Sequence, residues 1–312
     1  MLAGAAEKFQ AGIAMFLSTQ ALLTGLIDYA GLFPPAALDM PSAVRNYAAY
    51  RNGENSKYSS YSWALGRFVV PVGRLGEFEG AAADFLRDDA WRLSALPGPE
   101  FDAEFGKIGE FNRRFAGKAT IDTVEIKAET PETIQKAVRH LPDTITAYFE
   151  IPIDSSPLEL VQTVAETGAR AKVRTGGLAA DAFPSSHNLA RFIRACADED
   201  VPFKATAGLH HPVRSVNKLT YEPDSASAMM HGFLNVFLAA AFAQNGMDIE
   251  ALADLLEEKS PDAFQFEQGS VTWRGEMVVR GQLRNTRSLL AIAFGSCSFE
   301  EPIDDLKKLG LI

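Results

Sequence analysis

Ala171-Lys172-Val173-Arg174-Thr175-Gly176-Gly177 and Phe203-Lys204-Ala205-Thr206-Ala207-Gly208-Leu209 are two segments of one design, and the second runs into His210-His211-Pro212-Val213-Arg214. Each reads as a short strand with a lysine inside it and a glycine-containing turn at its C-terminal end. Between them, Asn188 to Ala197 is apolar at Leu189, Ala190, Phe192, Ile193 and Cys196, which is a helical spacing. A strand-helix-strand unit within one sheet is parallel and right-handed. A lysine inside a buried strand is costly unless it is paired or used. Two of them on adjacent strands call for a functional explanation.

The same alternation extends outward. Upstream, strand-like runs at Leu23–Ala30, Arg67–Val72, Trp91–Leu96, Ile121–Ala128 and Ile145–Ile151 alternate with helical runs at Met40–Arg51, Leu75–Arg87, Phe101–Phe115, Pro131–His140 and Pro157–Thr167. Ser155 or Ser156 is suited to cap the last of these helices. Downstream the rhythm breaks. Residues 215–289 form a connection several times the usual length. It contains a long apolar helix over Ala226–Gln244, a second helix at Asp248–Lys259, a hairpin at Phe264–Trp273 turning at Gln268-Gly269, and a helix at Met277–Leu289. Leu290–Phe299 follows, with a last helix at Glu301–Leu309. Eight strands with helices between them predict an α/β fold, a (β/α)8 TIM-type barrel of one domain over residues 1–312 with a helical and hairpin insertion between strands 7 and 8. The first strand ends in Phe33-Pro34-Pro35, so the glycine-rich turn of a dinucleotide-binding sheet is absent.

Parity then assigns faces, because residues two apart on a strand share a side. Val124, Ile126, Phe149, Ile151, Ala171, Val173, Phe203 and Ala205 suit the helix layer. Glu125, Lys127, Tyr148, Glu150, Lys172, Arg174, Lys204 and Thr206 then face the axis. That set is too polar for a plain core, and active sites in such barrels form at the C-terminal ends of strands. Asp28 has inward parity on the first strand. Arg214, the Thr175-Gly176-Gly177 turn and the backbone near Ser296 suit an anion. Of His210 and His211, at most one faces a pocket if both lie in an extended run. Cys297 shows no adjacent base in the sequence, and His231 and Asn235 read as a buried, satisfied pair.

The chain is 47% hydrophobic, with 22% charged residues and a net charge of −10. Such an acidic chain lacks the cations to displace phosphate counterions, which argues against nucleic acid as a partner. The run Ala11–Leu23 is broken by Ser18, Thr19 and Gln20 and lacks a positive leader, and no stretch approaches the ~20 apolar residues needed to cross a bilayer. Two cysteines, Cys196 and Cys297, fit a reduced, cytoplasmic setting. No His/Cys/Asp spacing forms a recognised metal motif, so no cofactor is assigned, although Glu125, Glu150 and one of His210 or His211 could hold a divalent metal for enolate-type chemistry. The sequence leaves homo-oligomer formation open.

At the two lysine strands the chain resembles the deoxyribose-phosphate aldolase type of class I aldolase. That family carries a Lys-Thr-Ser-Thr-Gly type motif on the sixth strand and a Lys-Ala-Ser/Ala-Gly-Gly type motif on the seventh. Lys172-Val173-Arg174-Thr175-Gly176-Gly177 and Lys204-Ala205-Thr206-Ala207-Gly208 are similar to these in order and separation. The resemblance implies a Schiff base at Lys172, with Lys204 lowering its pKa through like-charge proximity. Arg174 stands where the family has a small residue, and Glu125 or Glu150 would have to serve for its essential aspartate. The expected activity is lyase or isomerase chemistry on a small anionic carbonyl compound, with Glu150 or Glu125 as general acid/base and Arg174 and Arg214 as anchors. The remaining alternative is a non-catalytic barrel that binds a small anion, or a partner through the insertion.

Overall fold

The computed structural model describes residues 15–53, 56–87, 90–154 and 156–312. The part of the run Ala11–Leu23 before Met15, and Ser155, lie outside them. Eight parallel strands close a barrel: β1 (Ile27–Tyr29), β2 (Leu65–Pro71), β3 (Trp91–Leu96), β4 (Ala119–Lys127), β5 (Thr146–Glu150), β6 (Arg170–Arg174), β7 (Phe203–Thr206) and β8 (Ala291–Ser296). Each pairs with its neighbours in chain order, and β8 closes on β1. The (β/α)8 architecture anticipated from the alternation is the one observed.

The apolar faces of the strands supply the reason. Val124, Phe149, Ala171, Val173, Phe203 and Ala205 are fully buried under the helix layer, and burying a Val or Phe side chain contributes roughly 1.5–3 kcal/mol relative to exposure. The helices start where their caps permit. Asp39 accepts from the Ser42 backbone N–H, Thr130 from Thr133 and Ser185 from Asn188. The helix after β5 begins at Leu158 with Pro157 at its N-cap and no side-chain cap, so of the two serines expected there the described one, Ser156, is not the cap.

The chain between β7 and β8 departs from its sequence reading in two places. Ser227–Met230 is a strand paired antiparallel with Ser215–Lys218, and the apolar helix begins only at Phe233. Gly232 separates the two: a Cβ there would collide with Asn235 Oδ1 and stand 2.5 Å from Pro212 O, so the backbone crosses at a point open only to glycine. Glu276–Val279 is likewise a strand, the third of a small antiparallel sheet with Phe264–Phe266 and Ser270–Trp273. In both places an apolar run too short to show a period went to a neighbouring strand.

The helix Phe233–Gln244 lies between β7 and β8 in the chain, which makes it the barrel's seventh helix. Every residue from Phe233 to Ala243 is buried. Phe233 stacks on Phe294 of β8 with ring centroids 5.2 Å apart, and Phe237 meets the same ring. The helices Ile249–Leu256 and Arg280–Leu289 also pack against it. A helix apolar on all sides belongs in the interior, and this one offers no face to a partner. Among the described residues no helix is long and apolar enough to cross a membrane.

At the N-terminal end of the barrel, Arg67 forks onto Asp122, which also pairs with Arg92. The Arg287 guanidinium donates to the carbonyls of Leu22, Thr24, Ala291 and Ile292. These contacts fasten the ends of strands. The chemistry gathers at the other end.

Candidate functional site at the C-terminal mouth

Six charges of alternating sign run across the barrel. Lys204 Nζ lies 2.6 Å from Asp28 Oδ2 and 2.6 Å from Glu125 Oε1. Lys172 Nζ lies 2.8 Å from Glu125 Oε2 and 2.8 Å from Glu150 Oε2. Arg174 Nε donates to Glu150 Oε1 at 3.0 Å. Asp28, Lys204, Glu125, Lys172, Glu150 and Arg174 thus form one ladder drawn from β1, β7, β4, β6 and β5. Lys172 and Lys204 sit side by side in the β6–β7 register, and Lys127 pairs with Glu150 in the β4–β5 register.

Two further donors reach the carboxylates. Ser94 of β3 donates to Glu125 Oε1 at 2.6 Å, and the Arg67 backbone N–H donates to Asp28 Oδ1 at 2.7 Å. Gly66 makes the second bond possible, since a Cβ there would collide with Asp28 Oδ1. Tyr148 places its ring 5.6 Å from Lys204 Nζ, while its hydroxyl accepts from Arg170.

Charge complementarity sets the proton affinities. Burial pulls the Lys204 ammonium down, but Asp28 and Glu125 outweigh it and hold its pKa above the usual lysine value. Burial pushes Glu125 up, and Lys172 and Lys204 more than reverse that. Desolvation likewise raises Glu150, but Lys172 and Arg174 outweigh it and hold the carboxyl below the usual carboxylate range. Glu125 stands between the two lysines and bonds both, so their ammonium groups do not face each other as bare like charges.

Above the ladder lies a cavity of about 960 Å³. Glu125, Glu150, Lys172 and Arg174 are on its wall, whereas Lys204 and Asp28 lie beneath and are not among the lining residues. The hairpin Ser215–Lys218/Ser227–Met230 contributes Lys218, Leu219 and Met230 to the wall. Phe33, Leu96, Phe101 and Leu178 make another side apolar.

The other residues expected at the site divide. Thr206, Gly177 and His210 line the cavity. Thr175 is buried, and its hydroxyl donates to the carbonyls of Thr206 and Ala207. Those bonds fasten a turn in which Ala207 and Gly208 both take left-handed backbone conformations, with φ of 63° and 73°. That conformation costs a non-glycine residue roughly 1–2 kcal/mol, so Thr175 holds a turn and does not reach for an anion. Gly176 packs under Phe183. Ser296 donates to the Ser298 carbonyl and is not on the cavity wall. Arg214 is not there either. Its guanidinium reaches His231 Nδ1 at 3.0 Å and Glu257 Oε1 at 3.0 Å, spent on holding the insertion. His231 gives its other nitrogen to the Pro184 carbonyl, and burial lowers its pKa to about 4. Asn235 bonds Arg214 N, Leu255 O and Glu258 O. Both are buried and satisfied, though not by each other.

His210 and His211 both line the cavity, contrary to the divergence expected of an extended run. The left-handed turn at Ala207-Gly208 ends the strand before them, so strand parity does not apply. Each ring pairs with a carboxylate on the last helix (Glu300–Lys308): His210 Nδ1 with Glu301 at 2.8 Å, His211 Nδ1 with Asp305 at 2.7 Å. Cys297 has a neighbouring base after all. Its Sγ is 3.9 Å from His210 Nε2 and 3.7 Å from the Tyr221 hydroxyl, which lies 3.1 Å from Glu301 Oε2. Glu301 and Tyr221 had no sequence signal of their own. Adjacency of β7 and β8 in the closed barrel was the available clue, since it brings the residues just beyond each strand together.

Among the described residues no group of three or more His, Cys, Asp and Glu is arranged to hold a metal ion. Glu125 and Glu150 turn to the lysines, and the histidines turn to Glu301 and Asp305. The donor set considered for a divalent metal is therefore not brought together. No protein-family model matches the chain, and no curated protein matches it.

Proposed function

We propose that the chain is an enzyme that joins Lys172 to a small anionic carbonyl compound as a Schiff base, and uses the adduct for carbon–carbon lyase or isomerase chemistry. The observation that carries this reading is the division between the two lysines. Lys172 reaches the cavity wall between two carboxylates, whereas Lys204 is sealed beneath, at 1% exposure, between Asp28 and Glu125.

In this scheme Nζ of Lys172 passes a proton to Glu150 and adds to the substrate carbonyl carbon. The carbonyl oxygen leaves as water after taking up protons, one of them returned by Glu150. The iminium then draws electrons from an adjacent C–C or C–H bond. Glu125 holds Lys172 in place and stays ionised against Lys204. Lys204 neutralises the carboxylates beneath the floor, so that Lys172 can give up its charge without leaving Glu125 unpaired. Arg174, whose side chain is 47% exposed, is anchored through Nε to Glu150 and leaves its other nitrogens for a carboxylate or phosphate.

Formation and hydrolysis of a Schiff base exchange the carbonyl oxygen with water. Short anionic aldehydes and ketones incubated with the protein in ¹⁸O-water should gain label faster than in buffer, and Lys172→Met should abolish the acceleration. Acceleration that survives Lys172→Met, or none with any member of the panel, overturns the reading.

A further inference from the structure

A second nucleophile stands on the wall of the same cavity. Cys297 directly follows β8, His210 follows the turn after β7, Glu301 opens the last helix, and Tyr221 comes from the hairpin over the mouth. They meet in a defined order: sulfur, His210 Nε2, His210 Nδ1, Glu301 Oε2, with gaps of 3.9 Å and 2.8 Å. An imidazole oriented through one nitrogen by a carboxylate and presenting the other to a thiol is the general form of an activated nucleophile, wherever its members fall in the chain. Burial lowers the basicity of His210, but Cys297 and Glu301 more than reverse this and raise its pKa to about 10, so the ring holds a proton at neutral pH and can pass it to a leaving group. His211, paired to Asp305, takes no part in this line. The other cysteine, Cys196, is fully buried in the helix Ser186–Asp198 without such a neighbour.

We infer that Cys297, His210 and Glu301 form an acyl-transfer site that accepts the acyl group of an ester or thioester. The proton shared by the pair rests on His210 Nε2, and Cys297 Sγ attacks the acyl carbonyl carbon. The Sγ–C bond forms, the bond to the leaving alcohol or thiol breaks, and His210 returns the proton to that group. Water, deprotonated by His210, then adds to the enzyme thioester, the C–S bond breaks, and His210 keeps the proton beside the released sulfur. Glu301 is a positioning residue that holds the ring. Leu219 and Met230 of the hairpin and the apolar wall at Phe33, Leu96 and Leu178 suit the carbon chain of the acyl group. Lys172 has no part in this sequence, so it stands or falls separately from the Schiff-base reading.

The test uses p-nitrophenyl acetate and the full-length protein. Nitrophenolate release should accompany an acetyl group located on Cys297 by peptide mass mapping. Release should fall roughly 100-fold or more in Cys297→Ser and in His210→Gln. Glu301→Gln should lower the rate by a smaller factor and shift its pH profile. Iodoacetamide supplies an independent readout on the unaltered chain: Cys297 should alkylate much faster than Cys196 and faster than a free thiol at the same pH, and the alkylated protein should no longer release nitrophenolate. Acetyl groups found only on lysines, release unchanged in Cys297→Ser, or Cys297 alkylating no faster than a free thiol each overturn the inference. Because the acetyl group is located by residue, no outcome at Lys172 is confused with it.

Discussion

The cavity has two chemically different walls, and they are built differently. One is borne by strands: Asp28, Glu125, Glu150, Lys172, Arg174 and Lys204 project from the barrel at positions fixed by the pleat, and their charges interlock from β1 to β6. The other is borne by loops: Cys297, His210, Tyr221 and Glu301 come from four segments beyond the strand ends. The first wall is part of what holds the barrel centre together. The second leans on it and adds little to closure. Removing a member of the first should therefore damage the fold as well as the chemistry at any pH, whereas removing His210 from the second should affect stability only where its proton is held.

The sharpest way to break this contrast is Lys204→Met. It leaves Asp28 and Glu125 ionised and underpaired in a dry interior, and removal of one partner from a buried ion pair costs about 3–5 kcal/mol. Lys172→Met should cost less, because Lys204 still neutralises Glu125 and Arg174 still neutralises Glu150. Urea denaturation of both variants gives the order. Equal losses would mean that the ladder is not centred on Lys204.

Glu150→Gln separates chemistry from stability on the same wall. The amide keeps the volume but cannot take the proton of Lys172, so the ¹⁸O exchange proposed above should slow by roughly 100-fold. The urea midpoint should move less than in Lys204→Met, since Glu150 is nearer the cavity. Gly66→Ala probes the ladder from behind, through backbone space. Its methyl group would displace the Asp28 carboxylate from the Arg67 N–H, with a cost of about 1–3 kcal/mol for overpacking, again read from the urea midpoint.

The loop wall is read through pH. His210 has a folded pKa of about 10 against an ordinary value of 6.5. The folded state therefore binds the extra proton, and the stabilisation is full below about pH 6.5 and is lost as pH rises through about 10. Stability of the unaltered chain should decline across that window, and His210→Gln should flatten the decline. An unchanged slope would show that the imidazole and Glu301 are not paired in solution.

The same contrast explains what could be read in the sequence. Glu125, Glu150, Lys172 and Lys204 were legible because strand parity is rigid: once Val124, Phe149, Val173 and Ala205 are assigned to the helix layer, their neighbours must face the axis. Asp28 followed from the same rule on a very short strand. Arg214 reads as an anchor in the sequence, but its place depends on where the insertion folds back, and there it pairs with Glu257 and His231. Cys297 lacked a visible base because His210 and Glu301 meet it only across a closed barrel and after the left-handed turn at Ala207-Gly208. Loop encounters of that kind have no period to read. The insertion's apolar helix is legible, but not its start at Phe233, because Ser227–Met230 carries no pattern that separates strand from helix.

The central claim is that one lysine of the ladder reacts while its neighbour does not. Reductive trapping with borohydride and a short anionic aldehyde, followed by peptide mapping of every lysine, tests it most directly. Lys218 and Lys127 also line the cavity and are exposed amines, so they serve as internal controls for unselective reaction. The account predicts a single reduced adduct on Lys172 at low aldehyde concentration, with Lys204 unmodified. An adduct on Lys204, or labelling of Lys127 and Lys218 with Lys172 untouched, would contradict it.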